Sequence, residues 1–440
     1  MKVPSLQEER ALALVRAENW QELAAYVSDK VIRDPIYTDY LLMLAHRRLK
    51  NTEALTCGLR AANGVKLLLE KKNIVYPEGA LVCAEFGDMC LTIQEWKLAK
   101  KFLTLAIHLP IPEAVATEVM AKLGWALANL NQTNDSVEAL KLARSLALQN
   151  PTSITPVYRY CAATLEMWGE FDGALDVLDG LPETDAVLLD RANLYGSCGE
   201  FKKTLECMVK ASPSSLNRLD LPNPVSKEII DSFFIPPDQG FGDMVCLLPY
   251  LHKLEGKDVT WVLPEAQLGL IKSLAPSFIK FTTDVPENLP FIPSALLLFL
   301  LGGSNDEPHQ PIIQHTVDPY APVGISFESN MLFAGDTRRR PDNKTVADIL
   351  ARYPNHIRLD HSIIKTGTWL ETLEELKKCS RLISLDTGLT HLACAVGIPT
   401  TTIVRVGHDW RYANETPYWA VQTLAEQKQF GDWSSILDIL

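Results

Sequence analysis

The sequence predicts an all-α N-terminal half followed by an α/β C-terminal half, and three observations carry that reading. Up to about residue 210 the chain is rich in Ala, Leu, Glu and Lys at helical spacing, with few β-branched runs. Residues 211–224 (Ala-Ser-Pro-Ser-Ser-Leu-Asn-Arg-Leu-Asp-Leu-Pro-Asn-Pro) hold three prolines, which remove backbone donors and disfavour helix at the residue before each. Beyond them, short β-prone runs alternate with helical ones. At 440 residues the chain also exceeds what one hydrophobic core usually fills, so more than one domain is expected.

The first half repeats itself. The segment Asp135-Ser136-Val137-Glu138-Ala139-Leu140 resembles Gly169-Glu170-Phe171-Asp172-Gly173-Ala174-Leu175, then Gly199-Glu200-Phe201-Lys202-Lys203-Thr204-Leu205, with an earlier copy at Gln94-Glu95-Trp96-Lys97-Leu98-Ala99. A helix pair of this length cannot bury its apolar face alone, so copies stack, and a small Ala at a fixed point lets neighbouring helices approach. These copies resemble degenerate tetratricopeptide repeats, which implies a solenoid over residues 1–210; a non-repeating helical bundle is the alternative. Residues 211–224 are then a linker.

In the second half, residues 229–235 read as a buried strand running into Pro236-Pro237-Asp238-Gln239-Gly240-Phe241-Gly242-Asp243, with helix from about residue 245. Such a turn brings main-chain amides and a helix N-terminus close to an anion, because glycines permit the approach and first-turn amides lack partners. Val245 stands where a dinucleotide fingerprint has its third glycine, and no Gly-Lys-Ser/Thr follows, so a plain tight turn is equally allowed. A second strand, residues 381–385, leads through Asp386-Thr387-Gly388 into the helix Leu389-Thr390-His391-Leu392-Ala393-Cys394-Ala395-Val396. In an open parallel sheet that turn lies at the carboxyl end of its strand, where ligands bind. The plain alternative has Asp386 capping the helix and His391 packed inside.

Together, Asp386-Thr387-Gly388-x-x-His391-Leu392-Ala393 and Gln239-Gly240-Phe241-Gly242-Asp243 resemble the two loops of heptosyltransferase-like enzymes, glycosyltransferase family 9, and Asp409-Trp410-Arg411-Tyr412 and Gly431-Asp432-Trp433 resemble steps in family chains that carry tetratricopeptide repeats. The resemblance covers roughly residues 230–440. It implies a GT-B-like pair of Rossmann-type lobes, a short N-terminal lobe at 225–320 and a nucleotide-sugar-binding lobe at 321–440, with the proline-rich residues 302–322 as the hinge. The first lobe has room for only three or four strand-helix units, so part of the acceptor half is expected to be missing.

The activity implied is inverting, metal-independent transfer of a sugar from a nucleotide-sugar to a protein or glycan acceptor positioned by the helical repeats. By that resemblance Asp243 is the catalytic base, and Gln239, Gly240, Gly242, Asp386, Thr387, Gly388 and His391 bind the nucleotide-sugar. The basic loop Arg338-Arg339-Arg340 with Lys344 is expected to face the phosphates, Arg338 and Lys344 in particular; exposed cations on a solvated loop are the alternative. For Asp243 the alternative is a helix-capping role. No Asp-x-Asp pair occurs, so no metal is expected, and no cofactor beyond the donor. The rival function is a non-catalytic interaction scaffold with a degenerate nucleotide-binding module.

Composition bounds these readings. Hydrophobic residues make up 47% and charged residues 22%, which excludes a dominantly disordered chain. Lys and Arg number 42 against 54 Asp and Glu, a net charge of −12 with acids in excess in both halves, so neither half is a polycation and nucleic acid is a poor default partner. The 9 cysteines form no Cys-x-x-Cys pair and read as reduced core residues. No apolar leader follows Met1, and the longest wholly apolar run, residues 295–301, falls far short of the ~20 residues that span a bilayer. A cytoplasmic protein without a membrane span is expected.

Overall fold

A computed structural model describes the chain outside residues 1–5, 29, 73, 150–153, 305, 329–338 and 361–366. It has a helical N-terminal part and an α/β C-terminal part containing two parallel sheets. By contacts the chain forms two compact units, Met1–Cys161 and Ala162–Leu440.

The first unit contains α1 (Leu6–Arg16), α2 (Trp20–Ser28), α3 (Pro35–Arg48), α4 (Glu53–Lys72), α5 (Gly79–Thr92), α6 (Trp96–Ile107), α7 (Glu113–Asn129), α8 (Thr133–Ala147) and the start of α9 (Ile154–Met167). A recurring turn joins them. Glu18, Lys50, Gln94 and Asn131 each adopt positive φ, and the next amide bonds the carbonyl five residues back. This is a helix C-cap that satisfies orphan carbonyls and reverses the chain within a few residues. Gly169 and Gly199 form the same turn further on, so three segments aligned in the sequence as copies, at 94, 169 and 199, share one backbone device. The core of this unit runs through Leu23, Met43, Phe86, Phe102 and Leu127, with Phe86 and Phe102 edge to face at 5.1 Å.

Charged side chains tie α3, α5 and α7. Lys122 reaches Asp88 at 2.8 Å and Glu118 at 2.7 Å, and Arg47 pairs with Asp88 and with Glu85 at 2.5 Å. Burial alone pushes the Asp88 carboxyl up, but Lys122 and Arg47 outweigh it and hold it below its usual range.

The second unit starts with helices, α10 (Phe171–Asp179), α11 (Asp185–Ser197), α12 (Phe201–Lys210) and the short α13 (Pro213–Leu216). The division between units therefore falls well before the proline-rich 211–224 stretch that marks the change of composition. The reason is packing: Leu188, Ala192, Cys207 and Met208 share one core with Phe233, Trp261, Leu297 and Leu392 of the α/β part. Phe201 stacks on Phe299 at 6.4 Å, and the Ser197 hydroxyl donates to the His408 carbonyl at 2.9 Å.

The first sheet is built from β1 (Ser232–Ile235), β2 (Asp258–Val262) and β3 (Lys280–Thr282), in that order and parallel, with α14 (Phe241–Leu247) after β1 and α15 (Glu265–Leu274) after β2. Phe291 bridges to Phe234 on the free side of β1, ahead of α16 (Ser294–Leu300). The second sheet is all parallel in the order β5-β4-β6-β7-β8. Its strands are β4 (Val323–Ser326), β5 (His356–Arg358), β6 (Arg381–Leu385), β7 (Thr400–Val404) and β8 (Gln422–Glu426), with α17 (Asn343–Arg352), α18 (Trp369–Leu376) and α19 (Gly388–Ala395) between them. β6 and β7 are buried almost throughout, as strands covered on both faces must be. The chain reverses its direction of travel across this sheet between β4 and β6, so a crevice is expected at their carboxyl ends. Among the described residues no helix is long and apolar enough to cross a membrane.

Candidate functional site

Two helix starts meet. Gly240 caps α14 in extended backbone, placing Phe241, Gly242 and Asp243 in its first turn. Thr387 caps α19 in the same way, with Gly388 as its first residue. A methyl group built on Gly242 would lie 3.2 Å from Gly388 Cα and 3.1 Å from His391 Cδ2, and one built on Gly388 would lie 3.3 Å from the Gly242 nitrogen. The two glycines thus let one main chain lie directly on the other. Beside them Phe241 stacks on Trp369 of α18, with ring centroids 3.6 Å apart and planes 12° from parallel.

A charged knot lies next to this contact. Arg411 Nη1 donates to Asp243 at 2.5 Å; the same guanidinium binds Asp409, and Nη2 stands 3.8 Å from Asp386. Asp386 Oδ1 accepts from the Tyr412 hydroxyl at 2.6 Å and from His391 Nε2 at 3.3 Å. Trp419 Nε1 donates to His391 Nδ1 at 3.3 Å, which leaves the ring proton on Nε2, aimed at the carboxylate. His391 is buried, with Nε2 facing Asp386. Burial favours the neutral Asp386 acid, but Arg411 above all, then His391 and Arg339, outweigh it and hold the carboxyl well below its usual range. Arg411 is pulled down by burial and pushed up further by Asp409, Asp386 and Asp243, so it stays charged. Burial and Asp386 lift the Tyr412 phenol well above its ordinary value, keeping it a donor.

Asp386 borders a small crevice with about 20 Å³ of water-accessible space, lined by Arg339, Asp386, Ile403, Val404, Arg405, His408 and Asp409 at the carboxyl ends of β6 and β7. Arg339 Nη1 donates to the Asp386 carbonyl at 2.9 Å. The Thr387 hydroxyl oxygen is enclosed and has no hydrogen-bond partner among the described residues. A deeper carboxylate, Asp360 at the end of β5, accepts from the Phe327 and Glu328 amides at 2.7 and 3.0 Å and pins the carboxyl end of β4.

Of the residues read from sequence, Gly242, Asp243, Asp386, Thr387, Gly388 and His391 come together here, with Gly240 as the cap of α14 and Gln239 just ahead of it. Lys344 does not join them: it lies on α17, 86% exposed and paired with Asp348 at 3.4 Å. Arg338 lies outside the described residues. From the described part of that loop, Arg339 reaches the crevice. Arg405 was invisible in sequence, because a lone arginine leaving a strand matches no motif. Arg411 stood in a quoted step, yet its partner Asp243 is 168 residues away, and nothing in the sequence couples the two. Among the described residues no group of three His, Cys, Asp or Glu side chains is placed to hold a metal ion.

No protein-family model matches this chain, and a search of curated proteins finds no match either.

Proposed function

We propose that the chain is an inverting, metal-independent glycosyltransferase whose nucleotide-sugar donor binds at the start of α19, on a GT-B-like pair of lobes, while a tetratricopeptide-like solenoid recruits the acceptor. The observation that supports the reading is the contact of the two glycine turns, Gly242 on Gly388, which sets a carboxylate beside a helix N-terminus where the Thr387 hydroxyl has no partner among the described residues. Helix N-termini attract phosphate through first-turn amides and the dipole. The amides of Thr387 and Gly388, the Thr387 hydroxyl and Arg339 would take the diphosphate, stabilising charge as it builds on the leaving group. Asp243, whose side chain is 38% exposed, would take the acceptor hydroxyl's proton as the new bond forms at the anomeric carbon. The bond from that carbon to the phosphate oxygen breaks in the same step, its electron pair leaving with the nucleoside diphosphate.

One observation favours the second reading, a nucleotide-binding scaffold without turnover. Asp243 is already held by Arg411 at 2.5 Å, and a base must loosen that pairing to accept a proton. The test is a transfer and donor-hydrolysis assay with UDP-, GDP- and ADP-sugars on the wild type and Asp243→Asn, alongside calorimetric titration of the same nucleotides. Transfer reduced about 10²–10⁴-fold by Asp243→Asn, with nucleotide affinity nearly unchanged, supports catalysis. Binding without turnover in either protein supports the scaffold.

A further inference from the structure

The proline-rich residues 302–322 lead from α16 to β4, and their described part is fastened at several points. The Ile312 and Ile313 amides donate to the Ala395 carbonyl at 2.7 and 3.1 Å, and the His315 amide to the Val396 carbonyl at 3.1 Å, which satisfies the end of α19. Upstream, His309 forms an isolated parallel bridge with Trp419. Its amide donates to the Tyr418 carbonyl at 2.9 Å, and its carbonyl accepts from the Ala420 amide at 2.8 Å. One residue thus grips the main chain on both sides of Trp419. The His309 ring reaches the other way, to Tyr250 in the 3₁₀ turn Leu248–Leu254 that follows α14. The single proton of the Tyr250 hydroxyl goes to the Ser304 carbonyl at 2.8 Å, so His309 Nε2 donates to the hydroxyl oxygen, also at 2.8 Å. The ring centroid lies 5.0 Å from that of Tyr250 and 4.8 Å from that of Tyr418. Tyr418 in turn donates its hydroxyl to the Cys246 carbonyl of α14 at 2.6 Å.

Trp419, so gripped, is fully buried, and its indole donates to His391 Nδ1 at 3.3 Å, leaving the His391 ring proton on Nε2 toward Asp386. A bond already that long has little room to stretch before it is lost. We propose that His309 is a positioning residue for Asp386, acting through Trp419 and His391: its main chain fixes Trp419, and its ring ties that grip to Tyr250. The effect on a nucleotide rests on the sugar-transfer reading; the positioning of His391 does not. The surroundings of the ring also give it a pH dependence. It faces Tyr250 and Lys253 from the 3₁₀ turn, Tyr418 and Trp419 from the bridged segment, and Ser304 from its own, where Asp306 and Glu307 are exposed. With Nε2–H given to Tyr250, a second proton goes to Nδ1 and makes a partly buried cation near Lys253. Burial, then Lys253, hold the ring below its ordinary value against the Ser304 carbonyl. The unfolded chain therefore takes up this proton first, and stability falls as pH drops below the unfolded value of about 6.5 toward the folded one.

The experiment compares the full-length wild type, His309→Ala and His309→Gln, the last keeping a donor for Tyr250 without a titrating ring. Nitrogen NMR of ring-labelled histidines at pH 7.5, with the His391 signals assigned from His391→Gln, reads the His391 tautomer. Urea midpoints from pH 7.5 to 5.5 read the His309 proton, and calorimetric titration of UDP, GDP and ADP at pH 7.5 reads the site. The expected result is a single Nε2–H tautomer of His391 in the wild type and His309→Gln, and averaged signals in His309→Ala. The midpoint should fall further with pH in the wild type than in His309→Gln. The nucleotide that binds should bind about tenfold more weakly to His309→Ala and recover most of that in His309→Gln. An unchanged His391 spectrum in His309→Ala, or parallel midpoint profiles in the wild type and His309→Gln, overturns the proposal. If a nucleotide binds all three proteins equally and the His391 spectrum does not respond, the positioning role fails and the transfer reading stands. If the His391 spectrum responds as expected and no nucleotide binds the wild type, the positioning role stands and the transfer reading fails.

Discussion

Asp386 takes hydrogen bonds from Tyr412 and His391 on one carboxylate oxygen, faces Arg411 with the other, and gives its carbonyl to Arg339. These donors do not survive its protonation equally, so they set a pH dependence with a definite sign. Its folded pKa is depressed, and the stability it contributes is therefore fully present above the unfolded value of about 3.9 and lost as pH falls through the folded value. Urea midpoints of the wild type should hold from neutral pH down to about 4 and drop below it; Asp386→Asn should start lower at neutral pH and show a flatter acid limb. Arg411 gives a second residue-scale expectation. Replacing it with Met leaves Asp243, Asp409 and Asp386 facing one another without their shared cation, and breaking a buried pair in this way costs about 3–5 kcal/mol. Equilibrium urea unfolding measures it. At this scale the sequence made Asp386, Thr387 and Gly388 readable, because they are consecutive and sit at a strand-to-helix turn. It left open whether His391 served the ligand or the fold, since that depends on Trp419, and tertiary packing alone brings Trp419 to the ring.

At the scale of elements, the site depends on two helices starting in contact. Gly242→Ala puts a methyl 3.2 Å from backbone at Gly388, where little can yield, so the starts of α14 and α19 must part by a few tenths of an ångström. The expected destabilisation is about 1–3 kcal/mol, read from urea unfolding, together with weaker nucleotide binding, because Asp243 and Thr387 move with their helices. Gly407→Ala should cost more. Its φ is +67°, and a methyl there would lie 2.2 Å from the Glu166 carbonyl oxygen. That glycine lets the loop from β7 to Arg411 lie against α9, while Ser197 and Phe171 hold it at His408. Of the strands, β1 and β6 were legible in sequence, as β-prone runs leading into glycine-bearing turns. The role of α9 to α12 in seating the site's charged loop was not, because helical periodicity shows that one face is buried and not what covers it.

For the whole molecule, the division inside α9 makes a prediction that the change of composition near 211 does not. A fragment of residues 162–440 keeps the shared core of α11, α12 and the α/β part, and it should unfold in one cooperative transition. A fragment of residues 225–440 exposes the surface that Leu188, Ala192, Cys207 and Met208 cover, and should aggregate or lose cooperativity in the same denaturant series. Prolines marked where local conformation changes, which is all a linker-like composition reports, whereas the unit boundary is set by which apolar faces find each other.

The account turns on the start of α19 as a nucleotide site, and the most direct measurement is calorimetric titration of UDP, GDP, ADP and dTDP into the full chain and its Thr387→Val variant. That substitution keeps the shape of the cap and removes only a hydroxyl that has no partner among the described residues, so folding should be unaffected. The account predicts that at least one nucleoside diphosphate binds the wild type and that Thr387→Val weakens it about tenfold. Binding of none of the four, or binding with equal affinity to both proteins, contradicts it.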